Sequence, residues 1–262
     1  MSILTAQNIQ ACYKTSRASK DIKKVLANVN LNLQSGEFVC LCGPNGSGKS
    51  TLLSILAGLS SINLQYSGSI LLDDKDVRGL KAFERAKNIS YMQQSETSTW
   101  DFSVFDYVLQ GRFAHSQGGH YNKGDEDVVS SVLEQLKLQD FAWRTLHTLS
   151  GGEFQKVRIA RALAQEPFFM LLDEPAANLD YVYEPHLMDF LKKLAHQKNI
   201  GILISVHDIN LAKAYADKVM LLPPQKNVLV GAPSDIMTLE NLKITFGVEF
   251  QCQKIECFQS LQ

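Results

Sequence analysis

At 262 residues, 45% of them hydrophobic, the chain has the length and composition of one large α/β domain, or of a core carrying insertions. Its 26 basic and 27 acidic side chains leave a formal net charge of −1, which excludes a global basic field aimed at nucleic acid or an anionic membrane surface. The start, Met-Ser-Ile-Leu-Thr-Ala-Gln, lacks the regions of a signal peptide, and no run approaches the roughly 20 apolar residues that span a bilayer. The expectation is a cytoplasmic protein that meets a membrane only through a partner.

Leu4–Tyr13 and Val25–Leu33 read as strands, the second with Val25, Ala27, Val29, Leu31 and Leu33 at alternate positions. The polar, basic stretch Lys14–Lys24 between them reads as a loop. Ser35-Gly36 turns the chain into the apolar run Phe38-Val39-Cys40-Leu41-Cys42. Next comes Gly43-Pro44-Asn45-Gly46-Ser47-Gly48-Lys49-Ser50-Thr51, opening onto Leu52, Leu53, Ile55 and Leu56 at helical spacing. Strand, glycine loop, lysine, hydroxyl and helix together make the full context of a phosphate-binding P-loop. The glycines let backbone N–H groups turn onto a phosphate chain, and the helix N-terminus adds partial positive charge. Lys49 would reach the β- and γ-phosphates and the Ser50 hydroxyl would hold Mg²⁺. A plain glycine-rich turn leaves the Lys-Ser pair unexplained, so a bound nucleoside triphosphate is expected.

After a helix ending near Gly58, residues 67–74 read as a short strand and turn, and Asn88–Gln93 as another strand. From about Ser95 to Gln165 helical patterns dominate, at Val104–Arg112 and Asp127–Leu138, with a soft tip at Ser116–His120. Strands resume at Phe168–Leu172, Gly201–Val206 and Lys218–Leu222. The alternation predicts an α/β fold with a mainly parallel sheet, interrupted by a helical insert of about 70 residues. Of five cysteines, Cys40 and Cys42 alternate on an apolar strand, while Cys252 and Cys257 lack a CxxC pair or companion histidines. Free thiols are expected.

Ligands of an open parallel sheet lie beyond the carboxyl ends of its strands. One predicted strand ends at Gly43, and the others end at Asp173-Glu174, at His207 and at Gln93-Gln94. An apolar run capped by Asp173 is the Walker B pattern, in which the carboxylate serves the Mg²⁺ shell. Glu174 is placed to polarise an attacking water. Taken alone, Asp173-Glu174-Pro175 also fits a helix N-cap with acidic first-turn residues. His207 reads as a sensor or hydrogen-bond donor near the γ-phosphate, and Gln94 has the least physical support of the group. Leu149-Ser150-Gly151-Gly152-Glu153-Phe154-Gln155 opens a helix, a natural anion site that doubles as a Ser150/Glu153 capping box.

These motifs, in this order, carry a resemblance across residues 4–245 to the nucleotide-binding subunit of ABC transporters. They are Walker A (Gly43–Ser50), the Q-loop (Gln94), the signature (Leu149–Gln155), Walker B (Phe168–Asp173 with Glu174), the D-loop (Asn178-Leu179-Asp180) and the H-loop (His207). The resemblance implies a P-loop NTPase core with an antiparallel β subdomain (about 1–36 and 66–76). The RecA-like core and C-terminal part would take 37–65, 77–94 and 166–262, and a helical subdomain 95–165. It implies a head-to-tail homodimer with two ATP molecules in the interface, Ser150 and Gly151 of one subunit closing on the γ-phosphate held by Lys49 of the other. Leu149, Gly152 and Glu153 join that second site, Leu179 and Asp180 belong to the D-loop, and Ser50, Gln94 and Asp173 form the Mg²⁺ shell. Tyr13 aligns with the aromatic that stacks on adenine and reads equally as a strand core residue. Phe154 replaces a commonly polar residue and Ala176-Ala177 a frequent Thr-Ser; neither change removes a catalytic group.

The helical insert would dock a membrane permease with Gln94 at its hinge, placing the chain peripherally on the cytoplasmic face of the inner membrane. A substrate-binding protein would act indirectly, and no nucleic acid is expected. Ile204–Ala212 and Leu239–Val248 resemble importers of iron–siderophores, haem and cobalamin, whereas Trp100-Asp101-Phe102 is similar to zinc and manganese importers. The iron-complex group is the favoured reading. A different class, ABC ATPases acting on DNA or ribosomes, usually carries long coiled coils or a second ATPase domain, which this chain lacks. His115 and His120 read as loop residues.

Overall fold

The computed structural model describes residues 1–14, 22–59, 61–96, 101–116, 118–177 and 183–252. Strands β1 (Ile3–Lys14) and β2 (Ile22–Gln34) form a long antiparallel pair. Asn8 and Asn28 take the left-handed conformation at φ 53° and 48°, one that asparagine tolerates better than most residues, and the β1–β2 register shifts between Ala6 and Ile9. The first strand runs to Lys14 and the second starts at Ile22, so Lys14 and Ile22–Lys24 belong to strands rather than to a loop. Ile22, Lys23 and Lys24 are all exposed, so this end of the strand carries no alternation of apolar and polar residues.

Strand β3 (Phe38–Cys42) leads through the glycine loop into α1 (Lys49–Leu56). β4 (Leu64–Leu72) pairs with the free edge of β1, and the two-residue β5 (Lys75–Asp76) completes a four-stranded antiparallel sheet, ordered β2-β1-β4-β5. Helix α2 (Ala82–Asn88) leads into β6 (Ile89–Met92).

The helical stretch begins at α3 (Val104–Leu109), capped by the Ser103 hydroxyl, which accepts from Asp106 N at 3.0 Å. The predicted helix through Arg112 tightens after Leu109 into a 3-10 turn over Gln110–Ala114. Helix α4 (Lys123–Gln135) starts four residues before the expected Asp127, because Asn122 and Asp125 form a capping box at 3.2 and 3.0 Å. It stops short of Leu138, where Lys137 turns to φ 56°. Helix α5 (Gly151–Ala164) follows. Buried Arg112 ties these pieces together through Asp125 at 3.1 Å, Glu166 at 2.7 Å and the Ala164 carbonyl at 2.8 Å.

β7 (Phe169–Leu172), α6 (Tyr183–Lys198), β8 (Gly201–Val206), α7 (Ile209–Tyr215) and β9 (Lys218–Leu221) restore the alternation. The chain then adds β10 (Leu229–Gly231), α8 (Pro233–Ile236) and α9 (Leu239–Phe246). The second sheet is ordered β10-β9-β3-β8-β7-β6, parallel throughout except for β10. Every residue of β3, β7 and β8 is buried, as expected of parallel strands covered on both faces. Alternate side chains divide the core. Phe38, Cys40 and Cys42 pack with the later helices, while Val39 and Leu41 pack with α1 and the antiparallel sheet.

Candidate functional site

The glycine loop is seated by the antiparallel sheet. Gly48, the N-cap of α1, has φ 104°, and a Cβ there would lie 2.7 Å from both Val25 Cγ1 and Leu26 Cδ2. Only glycine meets both demands. Lys49 follows at the first turn, 5% exposed, its Nζ donating to Gly43 O at 2.9 Å and Pro44 O at 3.4 Å. Burial lowers the pKa of this ammonium, while Glu174 and Asp173 pull it back up.

The carboxylates come from the end of β7. Asp173 is 1% exposed; its Oδ1 accepts from Ser205 Oγ at 2.6 Å, whereas its buried Oδ2 has no hydrogen-bond partner. The same Ser205 hydroxyl accepts from Glu174 N at 2.8 Å, so one β8 side chain fixes both acidic residues. Glu174 takes the left-handed conformation at φ 49°, a backbone strain typical of functional sites. Its two carboxylate oxygens are held separately, Oε1 by His207 Nε2 at 2.7 Å and Oε2 by Gln94 Nε2 at 2.8 Å. The ends of β3, β6, β7 and β8 therefore converge as the sequence order predicted.

Lys49, Ser50, Gln94, Glu174, His207 and Tyr13 line one cavity of about 670 Å³, within the range of small-molecule sites. Tyr13 is half-buried, with its hydroxyl 3.2 Å from Thr51 Oγ1, so it is at once a strand residue and part of the cavity wall. Asp173, at the end of β7 and close enough to Lys49 to raise its pKa, carries the unpartnered Oδ2, while Ser50 and Gln94 line the cavity itself. An all-oxygen donor set with an orphaned buried carboxylate oxygen fits a hard divalent cation such as Mg²⁺.

The signature stretch lies outside this cavity. Ser150 caps α5, accepting from Glu153 N at 3.3 Å, while Glu153 Oε2 accepts from Ser150 N at 2.7 Å. Ser150 and Gly151 are exposed, and Leu149 packs on the core. Capping box and exposed helix head thus coexist. Leu179 and Asp180, with Asn178, Trp100 and Cys257, lie outside the described residues.

Sequence reading passed over Ser205, Arg158 and Glu96, and gave Gln155 no role beyond its place in the signature stretch. Gln155 Nε2 donates to Pro175 O at 2.7 Å, and Arg158 reaches the main chain of Gln93 and Gln94. Glu96 is held by Arg161 at 2.7 and 2.8 Å and by Tyr107 Oη at 2.9 Å. The available signal was polar residues on the buried face of α5, and a lone hydroxyl inside the apolar run Gly201–Val206. Among the described residues no group of three or more His, Cys, Asp or Glu could hold a metal ion, and His115 hydrogen-bonds the Gln165 carbonyl at 2.9 Å.

A P-loop at one strand end and paired carboxylates at another define a nucleoside triphosphatase of the P-loop class. Sequence comparison narrows the class. The family described as ABC transporter matches residues 26–177, and the chain belongs to it: it is an ABC ATPase, binding and hydrolysing ATP. The petrobactin import ATP-binding protein FpuC of Bacillus anthracis is 37% identical over 225 residues, covering 86% of this chain and 82% of that protein. An inward-facing ABC transporter structure described as of metal-chelate type superposes with a TM-score of 0.78 at 30% identity, covering 95% of this chain and 90% of that one. The dimeric ATP-binding cassette MJ0796, in a post-hydrolysis state with ADP and Pi, gives 0.74 at 29% identity, covering 88% and 98%.

Proposed function

We propose that the chain is the ATP-hydrolysing subunit of an importer of iron complexes, siderophore or haem, or of cobalamin, driven by ATP-dependent closure of a head-to-tail homodimer. The observation that carries the reading is the split between two anion-binding elements. Lys49, Glu174 and His207 line one cavity at the strand ends, with Asp173 beside Glu174 at the end of β7, while the Ser150-Gly151 helix head is exposed elsewhere on the same chain. A second copy, turned head-to-tail, brings the two halves together.

In this reading the P-loop amides and Lys49 hold the phosphates, and Tyr13 supports the adenine. Glu174 takes the proton of the attacking water as general base. His207 and Gln94 aim that carboxylate, each on its own oxygen. Ser50, Asp173 and Gln94 would hold Mg²⁺, which when bound neutralises charge on the transferring phosphoryl group. Ser150 and Gly151 N–H groups of the partner copy add stabilisation there.

The helical insert of about 95–165 passes the movement to membrane permease subunits, which would hold the chain on the cytoplasmic face of the membrane. Among the described residues no helix is long and apolar enough to cross a bilayer. A cleft of about 420 Å³ between Tyr91, Gln110, Phe113 and Tyr121 suits such docking. Half-exposed Phe83 stacks on Phe113 at its rim, ring centroids 5.8 Å apart. Petrobactin import by the relative and the metal-chelate type of the structural neighbour support the iron-complex cargo over zinc or manganese, and over a permease-free role.

Uptake of radiolabelled ferric siderophore, haem and cobalamin, in a strain lacking this gene, tests the proposal. Loss of one of them, restored by the wild type but not by Glu174→Gln, is the expected result. Intact uptake of all three with lost zinc or manganese uptake would overturn the cargo.

A further inference from the structure

Helix α5 joins the catalytic strand ends through a buried guanidinium that holds neither phosphate nor Mg²⁺ in the proposed mechanism. Arg158 is 3% exposed, in a stretch of α5 where its neighbours Val157, Ile159 and Ala160 are buried in the core as well. Its Nη1 donates to Gln155 Oε1 at 2.9 Å and to the Gln94 carbonyl at 3.4 Å, and its Nη2 donates to the Gln93 carbonyl. Gln155, one turn earlier, donates to the Pro175 carbonyl at 2.7 Å and the Glu174 carbonyl at 3.4 Å. The relay thus grips the main chain on both sides of the contact between Gln94 Nε2 and Glu174 Oε2 at 2.8 Å.

Burying a guanidinium is costly unless its donors are matched, and an apolar side chain would fill the same space. Here the charge is directed at main-chain carbonyls, with one carboxylate near. Glu96 Oε2 lies 3.6 Å from Arg158 Nε, beyond hydrogen-bond reach, because Glu96 is already held by Arg161 and Tyr107. A rigid fork fastened to carbonyls fixes position, which a single ammonium does less well.

We propose that Arg158 is a positioning residue for hydrolysis: it holds the Gln93-Gln94 main chain in register with α5, and so keeps the Gln94 side chain on Glu174. Movement of the helix that begins at Ser150 is then transmitted to the catalytic carboxylate. The inference rests on Glu174 acting as the general base.

Steady-state ATP hydrolysis by the full chain tests it, in Arg158→Met, Arg158→Lys, Gln94→Ala and the Gln94→Ala/Arg158→Met pair. Displacing a catalytic group by about an ångström can cost on the order of a hundredfold. Arg158→Met is expected to lower kcat about tenfold or more with KM for ATP within about twofold, since the P-loop is untouched. Arg158→Lys recovers part of the loss. In the Gln94→Ala background, removing Arg158 costs less than about twofold more, because the two act through one contact. A full multiplicative loss in the pair overturns the proposal. So does a lower melting temperature with unchanged kcat per folded molecule, or a raised KM alone. If Arg158→Met does not fold, Arg158→Lys decides: reduced kcat at an unchanged melting temperature supports the proposal, and unchanged kcat overturns it. Normal turnover by Glu174→Gln would instead overturn the general-base assignment, a separate failure.

Discussion

Ser205 sets the geometry of the acidic pair with a single hydroxyl, donating to Asp173 and accepting from Glu174 N. Lys49, Asp173, Glu174 and His207 were legible because each follows, directly or across the glycine loop, a near-continuous apolar run. Ser205 sits inside such a run, where one polar letter reads as noise, and Gln155 and Arg158 gain meaning only when α5 is laid against β6 and β7. The buried strand also makes a prediction about pH. Burial pushes the Cys42 thiol from about 9 to about 12, and Cys40 is raised by the same cause. The unfolded chain loses these protons first, so their contribution to stability is complete below pH 9 and is lost as pH climbs toward 12. The loss is at most about 1.4 kcal/mol per pH unit for each thiol. Urea midpoints should therefore fall through this alkaline range, and fall less steeply in Cys42→Ala. An equal slope in the variant would assign the loss to other groups.

Elements were readable where burial writes a near-continuous apolar run or a clear period. Strands β3, β7 and β8, buried along their whole length, were placed within one residue, while β10, half-buried at all three positions, gave no pattern. The early start of α4 was written in Asn122 and Asp125, a capping signal overlooked because the apolar period begins later. The 3-10 turn after α3 has a different cause. Gly111 lies against α5, where a Cβ would stand 2.3 Å from the Arg161 carbonyl oxygen and 3.3 Å from Ala164 Cβ. Backbone cannot yield as a side chain tip can, so Gly111→Ala must push the turn off the helix. Overpacking of this kind costs about 1–3 kcal/mol. A thermal melt lowered by several degrees is expected, and an unchanged one would show that the turn and α5 are not firmly packed.

In the whole molecule the exposed Ser150-Gly151 helix head lies outside the strand-end cavity, and a dimer test can separate the proposed assembly from nucleotide binding. Glu174→Gln keeps the P-loop and Lys49 but removes the base, so ATP stays bound and the dimer should accumulate with Mg-ATP in light scattering. Adding Ser150→Asp sharpens the test. Aspartate is as good an N-cap as serine, so α5 should keep its stability to within about 0.5 kcal/mol. Its carboxylate, however, would point at the partner's phosphates and turn an attractive helix head into a repulsive one. The double variant should bind ATP as a monomer, with an affinity like that of Glu174→Gln alone in the absence of dimer. A dimer that persists would mean that Ser150 faces no phosphate across the interface. Two copies could then still associate, but the split between the strand-end cavity and the helix head would no longer be what drives them together.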